Sequence, residues 1–231
     1  PEPEVMEPGD VVVRVDAAGR CGSDLHPYLG REVGIEIGTV MGHEFTGRVE
    51  KVGPGVRRWS VGDRVVAPFT TNCGEWRPCR IGLSYRCIRC QLFGWVEGGR
   101  GVHGGQAEMV RVPLAVSTVV VVNEAIEDDA LALLAGDILS TALYGVELAG
   151  VRPGEDVAVV GCGPVGLLAV RAALRAGAGS VSGVDPVAGR RELAGRFGAL
   201  ALDPSELEGQ GGQVSPAGAG PALEVEGVDA V

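Results

Sequence analysis

The sequence predicts an α/β chain in two parts: a β-rich half of small-barrel or sandwich type, then a parallel sheet alternating with helices. Three observations predict it. Up to Val122, short β-branched runs are cut at close intervals by glycine and proline turns. From Ile126 apolar residues fall at helical spacing and then alternate with compact strand-like runs. Between one such run and one such helix lies Gly161-Cys162-Gly163-Pro164-Val165-Gly166, a glycine pattern that is informative in that strand–loop–helix setting.

The elements follow in chain order. Val11 to Val15 is a β-branched run entered through the Pro8-Gly9-Asp10 turn. Phe45 to Val52 alternates imperfectly and stops at Gly53-Pro54-Gly55, and Asp63 to Ala67 is another short strand. The stretch from Cys73 to Cys90 is crowded with cysteine, lacks periodicity and reads as a loop lobe. Ala107 to Val112 and Val116 to Val122 restore strand character. Helices are expected over Ala130 to Ala135 and Ile138 to Ala149, separated by Gly136-Asp137. Asp156 to Val160, Val181 to Asp185 and Ala199 to Leu202 then read as strands, with helices over Val165 to Ala176 and Ala188 to Phe197 between them. Gly209 to Pro221 reads as a loose surface loop and Val228 to Val231 as the start of a fourth strand. The domain boundary is expected near residue 125, with 1–125 as one domain and 126–231 as the other.

Composition narrows the function. A chain of 231 residues with 45% apolar and 22% charged residues can bury a sizeable core, and 4% aromatics means that Val, Leu and Ala fill it. A net charge of −10 without a basic patch argues against a nucleic-acid partner. No apolar run is expected to reach membrane-spanning length, and the first residues lack a signal-peptide pattern, so no membrane partner and a cytoplasmic address are expected. Six cysteines in that setting read as thiols or metal ligands, not as a disulfide scaffold.

The glycine loop points to a dinucleotide. Gly161 permits the tight turn, Gly163 lets a pyrophosphate approach the backbone, and Gly166 lets helix pack on strand. The helix N-terminus offers free N–H groups to the phosphates. Asp185, about twenty residues on, stands where an acid takes the adenosine ribose hydroxyls, and its charge favours NAD over NADP. Arg190 and Arg191 offer a 2′-phosphate partner, or simply a solvated helix face. A structural glycine turn is the plainer alternative for the loop.

A second constellation suits a catalytic zinc ion, which needs three protein ligands and an open position. Cys21-Gly22-Ser23-Asp24-Leu25-His26 and Gly42-His43-Glu44 supply a thiolate and an imidazole. Taken singly, Cys21 also suits a buried apolar position and His43 a hydrogen-bonded core position.

With these residues in place, the chain resembles the zinc-dependent medium-chain alcohol dehydrogenases. The resemblance rests on Cys21 to His26, Gly42 to Glu44, the cysteine lobe, His103 to Glu108 and Gly161 to Gly166, in the family's order and over almost the whole chain. It implies a GroES-like β-barrel catalytic domain followed by a Rossmann NAD-binding domain that is incomplete here, the first strands of the catalytic domain also being absent. It implies Cys21 and His43 as ligands of catalytic zinc and Asp137 as the third. Many members have cysteine there, and an aspartate is closer to the branch with formaldehyde dehydrogenases. Asp137 also suits a helix N-cap. Glu44 would be an alternative ligand or sit just behind the ligands. Ser23 and His26 would relay the alcohol proton, and Thr141 would lie against the nicotinamide; by themselves Ser23 and His26 are equally turn residues.

In the family the cysteine lobe holds structural zinc with four cysteines. This chain has Cys73, Cys79 and Cys87, but Trp76 stands at the second position and an indole cannot ligate zinc. Cys90 permits a rearranged site, and a damaged, loose lobe is the alternative; weak or absent structural zinc is the expectation. Tyr28, Phe93 and Trp95 are pocket candidates or ordinary aromatics. The expected activity is hydride transfer between a small alcohol or aldehyde and NAD, with Zn2+ and NAD as cofactors and homo-oligomers among full-length relatives. The alternatives are a non-catalytic relic that binds zinc or nucleotide without turnover, and a zinc-free quinone-reductase type. With its parallel sheet stopping at the fourth strand, the isolated chain is expected to be poorly active or inactive.

Overall fold

Alternation of valines builds the first layer of the computed structural model, which describes residues 2–208, 213–214 and 223–224. Strand β1 (Val11–Ala18) is central, flanked by β2 (Phe45–Val52) and β6 (Met109–Val112); β3 (Arg64–Ala67) and β7 (Val120–Val121) complete an antiparallel sheet in the order β6-β1-β2-β3-β7. Val11 and Val13 of β1, Phe45 and Val49 of β2 and Val110 and Val112 of β6 share one buried core. A hairpin of β4 (Trp95–Glu97) and β5 (Arg100–Val102) brings Phe93 and Val102 to the same core, and Phe93 meets Phe45 edge to face at 5.1 Å between ring centroids. Sequence reading had no hairpin there, although Gly98 and Gly99 (φ 57° and 72°) form the two-residue turn that right-twisted strands favour.

Short helices decorate this unit: α1 (Leu25–Tyr28), α2 (Arg77–Arg80) and α3 (Ala115–Thr118). The last occupies part of the run expected as strand over Val116 to Val122. Its turn is held by tertiary bonds: the Thr118 hydroxyl donates to the Pro113 carbonyl, and Asn72 N–H donates to Thr118 Oγ1. Helix α4 (Asp129–Leu134) packs Ala132 against Val66 and Val122, and Arg64 pairs with Asp129.

The chain divides into compact units at this point, Pro1–Asp137 and Ile138–Val231. The second unit opens with α5 (Ile138–Leu148) and a three-stranded parallel sheet of β8 (Asp156–Val160), β9 (Ser180–Val184) and β10 (Leu200–Leu202), ordered β10-β9-β8. Helices α6 (Pro164–Ala176), α7 (Ala188–Arg196) and α8 (Pro204–Glu208) follow their strands. Val170, Ala173 and Val181 are its fully buried centre, with Val157, Val159 and Phe197 packed around them. Inside the segment expected as a loop, β11 (Gln213–Val214) pairs antiparallel with β12 (Leu223–Glu224), which lies just beyond it; the expected strand at Val228 to Val231 lies outside the described residues.

One expectation is corrected. Asp129–Leu148, 20 residues, is long and apolar enough to cross a membrane by length and composition, with an 18-residue window of mean hydropathy 1.5. In the structure it is two helices of 6 and 11 residues broken at Ala135–Asp137. At 1.5 Å per residue, neither reaches the roughly 30 Å of a bilayer core.

Candidate metal centre and dinucleotide loop

Three segments of the first unit converge on one point. Cys21 opens a turn of 3-10 helix at Gly22–Asp24, His43 and Glu44 precede β2, and Asp137 follows α4. One ligand atom from each of Cys21, His43, Glu44 and Asp137 lies within 4.8 Å of the others. Two close backbone passages make this possible. A Cβ on Gly136 would stand 2.5 Å from the Ala67 carbonyl oxygen, so only glycine lets the chain pass the end of β3 and deliver Asp137. A Cβ on Gly104 would stand 2.1 Å from the Gly42 carbonyl, where 103–106 and 40–42 are laced by bonds from Gly104 N–H to Val40 O and Gly105 N–H to Gly42 O.

Behind these four stands a residue that sequence reading missed. Asp24 is buried, with Oδ1 3.3 Å from His43 Nδ1, while His43 Nε2 faces Asp137 Oδ2 at 3.4 Å. Its other oxygen accepts from Cys21 N–H at 3.0 Å and from Gln106 Nε2 at 3.2 Å. Asp24 therefore turns the imidazole so that Nε2 points at the cluster, the arrangement in which a carboxylate fixes the tautomer of a ligating histidine. The sequence signal was an acid three residues after Cys21, placed to cap the turn that Cys21 begins.

The electrostatics call for a cation. Burial works against charging His43, but its hydrogen bonds with Asp137 and Cys21 and the Asp24 charge outweigh it and hold its pKa up at about 9. Burial, then the Asp137 charge, pushes the Glu44 carboxyl above its ordinary range against the pull of His43. Glu44 Oε1 is buried with no hydrogen-bond partner among the described residues. Such an orphaned acceptor beside a thiol, an imidazole and a second carboxylate fits zinc, whose ligands are these types.

The other expected residues are placed as follows. Ser23 and His26 sit exposed on the Gly22–Tyr28 turns. Phe93 is core, Tyr28 is exposed, and half-buried Trp95 donates to Glu97. In the cysteine lobe, Cys73, Cys79 and Cys87 come together and Cys90 does not join them. Backbone N–H groups of Trp76 and Glu75 pull the Cys73 thiol down to about 7, and burial raises that of Cys79.

In the second unit, Gly161 turns at φ 91° and Gly163 caps α6, with Pro164 at its first position. A Cβ on Gly163 would meet nothing within 4 Å, leaving an open approach, while one on Gly166 would stand 1.8 Å from the Gly161 carbonyl oxygen. Asp185 holds this loop shut: Cys162 N–H donates to Oδ2 at 2.9 Å and Val187 N–H to Oδ1 at 2.8 Å, and the residue is 2% exposed. Arg190 reaches it at 3.6 Å and Arg191 pairs with Asp203 at 2.8 Å. Thr141 lies on α5.

Residues 7–123 match the family model of the alcohol dehydrogenase GroES-like domain. A medium chain reductase/dehydrogenase of Acremonium sp is 44% identical over 96% of this chain and 82% of its own length. Zinc-type alcohol dehydrogenase B of Aspergillus flavus is 42% identical over 86% of this chain and 46% of its own. Among solved structures, the alcohol dehydrogenase TADH from Thermus sp. ATN1 superposes with a TM-score of 0.84 at 39% identity, covering 89% of this chain and 59% of that one. The chain thus spans most of the first relative and about half of the other two.

Proposed function

The chain belongs to the alcohol dehydrogenase family that carries a GroES-like domain, and from that premise we propose that it serves a zinc-dependent oxidoreductase moving hydride between a small alcohol or aldehyde and NAD. The observation that carries this reading is the convergence of Cys21, His43, Glu44 and Asp137, one Glu44 oxygen being buried without a hydrogen-bond partner among the described residues. Cys21, His43 and Asp137 would hold the ion, with Glu44 as an exchanging or supporting carboxylate. Bound there, zinc supplies Lewis acidity toward a substrate oxygen.

The chain's own residues do the rest. Asp24 keeps the His43 Nε2 lone pair aimed inward, and Gln106 ties Asp24 to the Gly19 carbonyl, fixing the turn that carries Cys21. Ser23 and His26 lie in solvent contact a few residues from Cys21, which suits the passage of the alcohol proton outward. Thr141 is assigned to the nicotinamide by family pattern alone. In the second unit, the open face of Gly161 and Gly163 before the 13-residue helix α6 suits the pyrophosphate. Asp185 both locks that loop and sets a negative charge that disfavours a 2′-phosphate, which supports NAD.

The experiment is zinc binding by the metal-stripped chain, followed by NAD reduction with simple primary alcohols and formaldehyde hydrate, with and without a chelator. Expected is one zinc that depends on Cys21 and His43, with any turnover removed by chelator and restored by zinc. Turnover indifferent to chelator, or zinc binding indifferent to both residues, overturns the proposal. Zinc and NAD binding with no turnover would favour a binding-only role.

A further inference from the structure

The cysteine lobe holds a second convergence that the proposed activity does not use. Cys73 Sγ lies 3.5 Å from Cys87 Sγ and 3.9 Å from Cys79 Sγ, and the three sulfurs all lie within 4.8 Å of one another. Sulfurs arranged around one ion at bonds of about 2.3 Å stand about 3.8–4.0 Å apart, in tetrahedral or trigonal geometry. The backbone also prepares them. Cys87 Sγ accepts N–H from Cys73 at 3.4 Å and Arg89 at 3.3 Å. Backbone N–H groups of Trp76 and Glu75 lower the pKa of the Cys73 thiol, while burial raises that of Cys79. Amides directed at sulfur favour the thiolate, which is the ligating form.

A closed structural zinc site does not fit. Such sites are completed by a fourth nitrogen, sulfur or oxygen ligand, and among the described residues no further His, Cys, Asp or Glu atom joins the three. Trp76, on the same turn, carries only an N–H donor. Cys90 closes a turn on the Cys87 carbonyl and lies on the wall of a separate cleft with Arg89, Gln91 and Arg111. The three sulfurs thus converge, and among the described residues the fourth position has no protein ligand.

We propose that Cys73, Cys79 and Cys87 form a three-thiolate site for a soft, thiophilic cation that three sulfurs satisfy, the class of monovalent copper and trivalent arsenic, in place of a closed zinc site. Thiolates select such ions over harder ones. With arsenite the chemistry balances without an oxidant. Three As–S bonds form, three As–OH bonds break, and the three thiol protons leave with the three hydroxides as water.

The test uses the full chain, reduced and stripped of metal, with arsenite as probe and native mass spectrometry as readout. One arsenic bound with three protons lost is expected, unchanged in Cys21→Ser and Cys90→Ser. In Cys79→Ser only two protons are lost and binding weakens at least tenfold. A gain-of-function arm guards against a misfolded lobe: in a Cys21→Ser background, Trp76→Cys supplies a fourth thiolate and raises zinc affinity at the lobe at least a hundredfold. Arsenic bound with fewer than three protons lost in the wild type, dependence on Cys90, or zinc held at the lobe as tightly with Trp76 as with cysteine there would each overturn the proposal.

Discussion

Replacing Asp24 by asparagine tests how the metal centre is aimed. Asp24 Oδ2 receives two donors, Cys21 N–H and Gln106 Nε2, while Oδ1 faces His43 Nδ1 at 3.3 Å. Asparagine keeps the shape but has one acceptor and one donor end. Setting its NH2 against two donors is unfavourable, so its oxygen stays with Cys21 and Gln106 and its NH2 turns to His43. The ring then accepts at Nδ1 and carries its proton on Nε2, the nitrogen that faces Asp137 and the cluster. That tautomer cannot bind a metal. Loss of such a carboxylate partner costs about 10–100-fold in metal affinity, or about 1.4–2.7 kcal/mol, with the fold retained because the Cys21 turn keeps its acceptor. Competition for zinc against a chromogenic chelator at neutral pH measures the loss, with circular dichroism as the check on folding. The pH dependence should follow His43. Its folded pKa of about 9 lies above the ordinary 6.5, so the charged ring stabilises the metal-free fold below about pH 6.5, and that support is lost as pH rises through about 9. Zinc needs the neutral ring, so apparent affinity should climb with pH toward about 9, and less steeply in Asp24→Asn. Wild-type zinc affinity in the folded variant would show that Asp24 does not set the tautomer.

Three further outcomes are expected. Gly166→Ala places a Cβ 1.8 Å from a backbone oxygen where 3.0 Å is the practical limit, so the loop must open at a cost of about 1–3 kcal/mol; thermal unfolding and NAD titration should both register it, and unchanged values would refute the close packing. Asp185 has its folded pKa depressed, first by the Val187 N–H, against the opposing effect of burial, and then by the Cys162 N–H. Its contribution is therefore present above the ordinary carboxylate pKa of about 3.9 and lost as pH falls through the lower folded value. Hydrogen exchange at the Cys162 and Val187 amides should lose protection in that acid range in the wild type, and already at neutral pH in Asp185→Asn. Glu44 shows the opposite shift, so its charge opposes the metal-free fold at neutral pH. Metal-free Glu44→Gln should unfold at a higher temperature than the metal-free wild type, yet gain less from added zinc; a larger zinc gain would exclude Glu44 from the ion's surroundings.

What was legible in the sequence follows from how locally each feature is determined. Val11-Val12-Val13 is a continuous β-branched run and Val49 lies between Arg48 and Glu50, so these strands could be read from local composition and period. Cys21, His43, Glu44 and Asp137 were readable as residue types that bind zinc. Asp24 was not, because its role depends on a histidine nineteen positions away and on Gln106 from a third segment. Val116-Ser117-Thr118 has strand composition, yet hydroxyl bonds to Asn72 and Pro113 bend it into a helical turn, a tertiary override of propensity. Asp185 read as a ribose acceptor; that one oxygen already holds the loop's Cys162 N–H and the other the Val187 N–H of its own turn could be seen only in three dimensions. The Trp95 to Val102 hairpin is different, since its turn is marked locally by Gly98-Gly99.

The glycines of the first unit and its buried acids belong to one argument. Gly104 and Gly136 bring separate segments within backbone contact, and what they deliver is a thiol, an imidazole and the carboxylates of Asp24, Glu44 and Asp137 in a largely buried space. Packing so many acidic groups together is unfavourable unless a cation neutralises them. The metal-free protein relieves part of that cost by protonating: His43 holds its proton to about pH 9, and Glu44 is pushed toward its neutral form. It cannot relieve the cost at Glu44 Oε1, which remains unpartnered. A divalent ion held by Cys21, His43 and Asp137 would take the place of the His43 proton and offset the repulsion among the carboxylates. Folding and metal binding in this unit are therefore linked equilibria, and substitutions such as Asp24→Asn should alter zinc affinity far more than the stability of the metal-free fold.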